Sequence, residues 1–170
     1  MAIAPQTEEE INRFEQEFVD QVWNGDNYDF IEETHSEDYV GHWFGIDTDD
    51  VGRAGLEAFI KEAHAGFSDF EMTVEFTVVD DDMGVTGFTV SGTHDGEYSG
   101  IPPTNKTGST PGIMVHRFED GEVVEAWAVW DALGQLQQLG VLPESFTLAS
   151  FLETGANLAK QDVLKLAKGE

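Results

Sequence analysis

The chain has 170 residues, 40% of them hydrophobic, enough for one domain with a sizeable core and too many for global disorder. Asp and Glu number 34 against 8 Lys and Arg, a formal net charge of −26, and so few cations exclude nucleic acid and anionic membranes as expected partners. There is no cysteine, which removes disulfides and thiolate chemistry.

The acids are spread along the chain instead of gathered in a tail. Such a charge repels itself and weakens a compact state. At about 1 M salt the screening length falls to roughly 3 Å and the repulsion largely vanishes. The composition therefore points to a salt-rich cytoplasm, with an acidic surface for a basic partner as the competing reading. Met1 to Gln6 lack the basic start and apolar run of a signal peptide. No apolar run approaches the roughly 20 residues that span a bilayer. The expected location is cytoplasmic.

Thr7-Glu8-Glu9-Glu10 reads as a capping box, followed by Ile11, Phe14, Phe18 and Val22 at helical spacing. This helix should stop at Asn24-Gly25. A shorter one follows, with Tyr28 and Ile31 inward. Tyr39 to Phe44 reads as an aromatic-rich connection lining either the core or a pocket. Asp49 or Asp50 should cap a third helix whose Leu56, Phe59, Ile60, Ala63 and Phe67 form one stripe. From Phe70 the period changes to two: Phe70, Met72, Val74, Phe76 and Val78 are expected on one buried face. Asp80 to Gly84 is a turn. Val85 to His94 form a second strand, with Thr86, Phe88, Val90 and Gly92 on one side. Ile101-Pro102-Pro103 cannot sit in a central strand, and the segment to Pro111 is expected as a polar loop. Gly112–Phe118 and Glu122–Trp130 face each other across Glu119-Asp120-Gly121 and complete an antiparallel, mostly hairpin-connected sheet. Leu133, Leu136 and Leu139 suit a helix closed by Gly140, and Pro143 can begin another. Helices followed by a strand meander make an α+β pattern, with a curved sheet wrapped on the amino-terminal helices around a cavity.

Asp131 stands at the end of the last strand, in phase with Glu125, Trp127 and Val129. In an apolar cavity, desolvation would raise its pKa and fit it for general acid/base work. It could equally be a surface residue or the cap of the helix at Ala132. His116, in phase with Met114 and Phe118, could orient a substrate or share a proton, or be a satisfied core histidine. His42 and His94 pose the same question more weakly. His64 reads as a helix-surface or packing residue, and His35 as exposed. No metal site is expected. Asp47 to Gly52 resembles the start of a calcium loop, but Ala58 stands where a bidentate Glu is required. Neither a phosphate loop nor a nucleophile elbow is present.

These residues resemble a family. Tyr98-x-Gly100-Ile-Pro-Pro-Thr104-x-Lys106, then Arg117-Phe-x-Asp-Gly121-x-Val-Val-Glu125-x-Trp127-x-x-x-Asp131, then Leu136-Gln-Gln-Leu-Gly140, are similar to the SnoaL-like polyketide cyclase, or ester cyclase, family. Tyr39-Val-x-His42 and the stretch from Gly52 to Ile60 fit as well. The acidity makes it a haloarchaeal-type member. Asn105 departs from the family, which usually has Gly there. The resemblance implies the cone-shaped α+β fold of the nuclear-transport-factor-two-like superfamily over residues 1–140. The expected helical extension over 141–170 packs on the same domain. It further implies an internal cavity, no metal or organic cofactor, a homodimer, and an Asp at the position of Asp131 as general acid/base for aldol closure of a polyketide ester. A pocket His falls near His116.

The expected function is thus cofactor-independent proton transfer on a small apolar carbonyl compound, with Asp131 and His116 as catalytic candidates. His42, Trp43, Phe88, Tyr98 and Trp127 are the substrate-binding candidates, although alternate strand positions cannot all face inward. Isomerisation, dehydration and epoxide hydrolysis are related chemistries. The rivals are a non-catalytic carrier and a structural dimer. The charge gives a test independent of these: the fold should need molar salt and loosen on dialysis to low salt. Circular dichroism and a melting temperature unchanged across that range would remove the halophilic reading.

Overall fold

A computed structural model describes residues 7–44 and 51–144. Helix α1 (Glu8–Phe18) begins at the expected capping box: Thr7 accepts from the Glu10 amide while Glu10 reaches back to the Thr7 amide. It buries Ile11, Phe14, Glu15 and Phe18. A π-helical turn, Val19–Trp23, prolongs it and brings both Val19 and Val22 into the core. The helix ends at Asn24. The Asn24 side chain bonds the carbonyl and the amide of Met72 (2.8 and 2.9 Å), which ties the helix to the sheet. Helix α2 (Asp29–Thr34) buries Ile31, with Tyr28 half-buried at its start.

The five strands are β1 (His35–Trp43), β2 (Glu71–Asp80), β3 (Met83–Thr93), β4 (Thr107–Glu119) and β5 (Glu122–Trp130), in spatial order β1-β5-β4-β3-β2. Three neighbouring pairs are antiparallel, and the β4–β5 hairpin turns at Asp120-Gly121, both with positive φ. The fourth pair is parallel: β1 runs alongside β5. The aromatic-rich connection expected at Tyr39 to Phe44 is therefore largely an edge strand. Its inward positions are Tyr39, Gly41 and Trp43, and the glycine hides the alternation. The glycine is required there, since a Cβ at Gly41 would lie 2.8 Å from the Tyr39 hydroxyl.

Other expectations are corrected. A bulge between Val74 and Phe76 reverses the faces of β2, so Phe76 and Val78, expected inside, are exposed. Phe76 lies over Gly87, where a side chain would collide with its ring. The supposed loop before Pro111 is the start of β4, paired from Thr93–Thr107 to Thr89–Pro111; its polar residues conceal a strand whose Thr110 is buried. Helix α3 (Arg53–Gly66) is preceded by Gly52 without a side-chain cap, while Asp49 and Asp50 lie outside the described residues. Its core stripe forms as expected, with Leu56, Ile60, Ala63 and Phe67 buried and Phe59 half-buried. Helix α4 (Ala132–Gln138) buries Leu139 just past its end but exposes Leu133, and it closes on Gly140 at φ +73°. Val141–Glu144 are not helical, and the rest of the expected extension lies outside the described residues.

The α+β cone is thus a curved five-stranded sheet closed by α1, α2 and α3, with the core inside the curve. No described helix is long and apolar enough to cross a membrane. The junction of α3 with the segment after β3 sets the position of Tyr98. Gly96 donates to the Gly66 carbonyl at 3.0 Å, and a Cβ at Gly96 would sit 1.8 Å from the Ala65 carbonyl oxygen. Backbone cannot yield as a side chain can, so Gly96→Ala should cost at least the roughly 1–3 kcal/mol of ordinary overpacking. Urea unfolding of the variant measures this.

Candidate functional site

The inner faces of the strands and α3 line a partly open cavity of about 80 Å³. Aromatic side chains dominate the wall, among them Trp43, Phe59, Phe70, Phe88 and Trp130. The ionisable groups on it are Tyr39, Tyr98 and His116. Burial, reinforced by the charge of Glu62, pushes the Tyr98 phenol up to about 12, so it remains a hydrogen-bond donor at any physiological pH. Burial also raises Tyr39.

His116 is placed by register. In β4 it shares the inner face with Met114 and Phe118, and its ring stands edge-on to Phe14 and Phe18 of α1. Its Nδ1 lies 2.9 and 3.0 Å from the two carboxyl oxygens of Glu15. Both side chains are buried, Glu15 fully. The Thr86 hydroxyl of β3 donates to Glu15 Oε2 at 2.8 Å. The carboxyl group fits only because Gly84 lies beneath it: a Cβ there would be 2.3 Å from Oε1. A second buried histidine, His35, has its ring 6.2 Å from that of His116. Its Nδ1 faces the Thr34 hydroxyl at 3.0 Å, and that hydroxyl donates to Phe30. Nδ1 of His35 therefore carries the hydrogen, and Nε2 is hidden without a partner.

A family model, SnoaL-like polyketide cyclase, matches residues 15–139. The chain belongs to this family. Solved structures agree with the SnoaL-like fold. AclR of Streptomyces galilaeus, a proposed hydroxylase, is 28% identical with a TM-score of 0.71, over 81% of this chain and 100% of its own. IdmH of Streptomyces antibioticus, a proposed polyketide cyclase, is 26% identical with a TM-score of 0.69, over 76% and 98%. A SnoaL-like protein from Jannaschia sp. CCS1, 22% identical with a TM-score of 0.72 over 80% and 95%, supports the fold alone. No curated protein matches the chain.

Of the site residues expected in this SnoaL-like chain, His116, Trp43, Phe88 and Tyr98 meet in the cavity wall. His42 does not. It projects from the other face of β1, bonded to Glu125 at 2.8 Å and stacked on Trp127. Trp127 borders the cavity through its place in β5, but its ring belongs with His42 on the outer face. Arg117 completes that cluster, bonded to Glu125 at 2.8 Å, and its guanidinium is the main cause of Glu125 lying below the usual carboxylate range. Asp131 is in phase with Glu125, hence outward. It is exposed and accepts from the Gly134 amide at 2.8 Å as the cap of α4. The capping alternative is the geometry found. His94 is buried away from the cavity wall, with Nδ1 near Thr104. His64 packs between Asp26 and the Trp23 carbonyl. Among the described residues, no group of acids and histidines could hold a metal ion.

Glu15 and His35 escaped the sequence reading, and His35 was expected exposed. Glu15 had a signal: it falls on the stripe of Ile11, Phe14, Phe18 and Val22, where an acid has no business unless paired. His35 had none, since it looked like part of a polar run. Burial above all holds His35 well below its ordinary 6.5. A base whose pKa is lowered by folding binds its proton more readily in the unfolded chain. Its contribution is fully present above about 6.5 and is lost as pH falls below it, by at most about 1.4 kcal/mol per pH unit. Urea unfolding between pH 7 and 5.5 should show that slope, and His35→Gln should flatten it.

Proposed function

We propose that the chain performs cofactor-free proton transfer on a small, mainly apolar carbonyl compound held in the cone, aldol-type cyclisation being one form. The observation that carries this reading is His116: an imidazole on the wall of an aromatic cavity, with one nitrogen tied to a buried carboxylate. The other nitrogen is the polar atom that ring has left to offer a ligand. A flat carbonyl compound would lie against Trp43, Phe88 and Trp130, and Tyr98 is the hydrogen-bond donor nearest in kind to what a carbonyl oxygen needs. Family membership and the cyclase-type neighbours support the class of chemistry. Asp131 holds the start of α4, whose Gln135 also lines the cavity, so its part is structural.

The test is deuterium incorporation at the α-carbons of 2-tetralone in D2O, followed by proton NMR. The protein should accelerate exchange, His116→Phe should lose about 10²–10⁴-fold of that acceleration, and Asp131→Asn, still a good cap, should keep it. Loss on Asp131→Asn with His116→Phe active would return the role to the carboxylate. Binding of 2-tetralone without exchange would establish a carrier instead.

A further inference from the structure

We infer that Glu15 is a positioning residue that fixes His116 as a proton acceptor, so that the cavity takes a carbon acid and removes a proton α to its carbonyl. The inference rests on the cavity reading above and adds to it a direction of proton transfer, a substrate class and a residue on α1.

With Glu15 ionised, the direction of each bond around it follows. The Glu15 carboxylate has no hydrogen to give and two oxygens to fill. The Thr86 hydroxyl gives one hydrogen to Oε2. His116 Nδ1, within 3.0 Å of both oxygens, supplies the other. An imidazole that donates to this carboxylate carries its hydrogen on Nδ1, which leaves the lone pair of the other nitrogen, Nε2, for a ligand. This is the orienting part played by the acid in any acid–histidine pair. The surroundings leave the carboxylate little alternative. Gly84 lets it approach the β3–β4 ladder, and Phe14 and Phe18 stand against the imidazole. The charged and titratable groups nearby are His35, whose burial keeps it neutral, and Arg53, whose guanidinium is bonded to the carbonyls of Glu32 and His35.

A lone pair on Nε2 sets what the site can do first. It accepts a proton from a C–H bond next to a carbonyl. The C–H bond breaks, an N–H bond forms at Nε2, and the electron pair moves onto the carbonyl oxygen as an enolate. The imidazolium so formed faces the Glu15 carboxylate across the bond already in place. Returning the proton to carbon, or to the oxygen of an aldol product, restores the resting state, so no oxidant, reductant or further group is needed. The aromatic wall selects flat, apolar carbon acids.

The experiment uses the full chain and 5-nitrobenzisoxazole, a flat aromatic carbon acid. Loss of its ring C–H proton to a base breaks the N–O bond and releases a coloured phenolate. His116→Phe should abolish turnover. Glu15→Gln keeps shape and a hydrogen-bond acceptor but removes the charge that faces the imidazolium; kcat should fall tenfold or more, with KM changed less than twofold. Glu15→Met removes the acceptor. Its imidazole 15N shifts should show the hydrogen moving from Nδ1 towards Nε2, a change that a merely structural role for Glu15 would not require. Gly84→Ala, which displaces the carboxyl group, should resemble Glu15→Gln. If His116→Phe loses turnover while Glu15→Gln keeps kcat and Glu15→Met keeps the Nδ1 hydrogen, the positioning role is overturned and the cavity reading stands. If the wild-type protein is no faster than free imidazole at equal concentration, or His116→Phe remains active, both are overturned. Should Glu15→Met fail to fold, the 15N shifts of the wild-type protein decide alone: a hydrogen on Nε2 of neutral His116 refutes the proposal.

Discussion

The bond between Glu15 and His116 is the constraint around which the cone is arranged. It joins the first helix to the fourth strand across the core, in surroundings where a charge without a partner is costly. Removing one member of such a buried pair typically costs about 3–5 kcal/mol, whereas replacing the whole pair with apolar groups is often neutral or favourable. Stability alone therefore does not explain its presence. Its neighbours are fitted to it: Gly84 is bare so that the carboxyl group can approach, Thr86 donates to it, and Phe14 and Phe18 stand against the imidazole.

Away from the bulge in the β4–β5 ladder, the sheet separates two chemistries by parity. Even-numbered positions of β4 and β5, with Met114, His116, Ala126, Ala128 and Trp130, build the inner wall. Odd-numbered ones, with Arg117, Glu125, Trp127 and Val129, look outward, as does Asp131 just past β5; beyond the bulge between Arg117 and Phe118 the phase changes and Val123 is buried. The register that pairs His116 with Ala126 and Met114 with Ala128 puts the small side chains opposite the large ones and leaves space inside the curve. The bulge in β2 performs the opposite service, turning Phe76 and Val78 out and Val79 back toward the core. The outer face consequently carries Phe76, Val78, Ile113 and Val129, all exposed.

Much of this was legible in the sequence where periodicity is unbroken. The capping box, the stripe on α3, the inner face of β3 and the hairpin at Asp120-Gly121 all follow from spacing. The failures have physical causes. Gly41 removed the inward side chain that would have marked β1 as a strand. A one-residue bulge in β2 leaves no trace in an alternating run, yet it flips every side chain beyond it. Thr107 to Pro111 looked like a loop because a strand with a polar face and a proline does. The site divides in the same way. His116 was in phase with Met114 and Phe118 and could be placed. Asp131 is in phase with Glu125, but which face that phase occupies depends on the register with β4. The family pattern carries the residue's position, not the solvent around it.

Two carboxylates of the same type show what the choice of partner does. Glu125, on the outer face, is held by an arginine and a histidine. The guanidinium never gives up its proton, so the charge on that side of the pair is fixed. Glu15 is the one buried acid among the described residues, and its partner is a histidine, the side chain that gains or loses a proton most readily near neutrality. An arginine at position 116 would neutralise the carboxylate more firmly and would leave nothing able to accept a proton from a ligand. A chain this poor in cations could have left its core without any charge at all. That it buries an acid, and pairs it with a group that titrates, is the strongest physical reason for reading the cone as a site of proton transfer and not merely as a container.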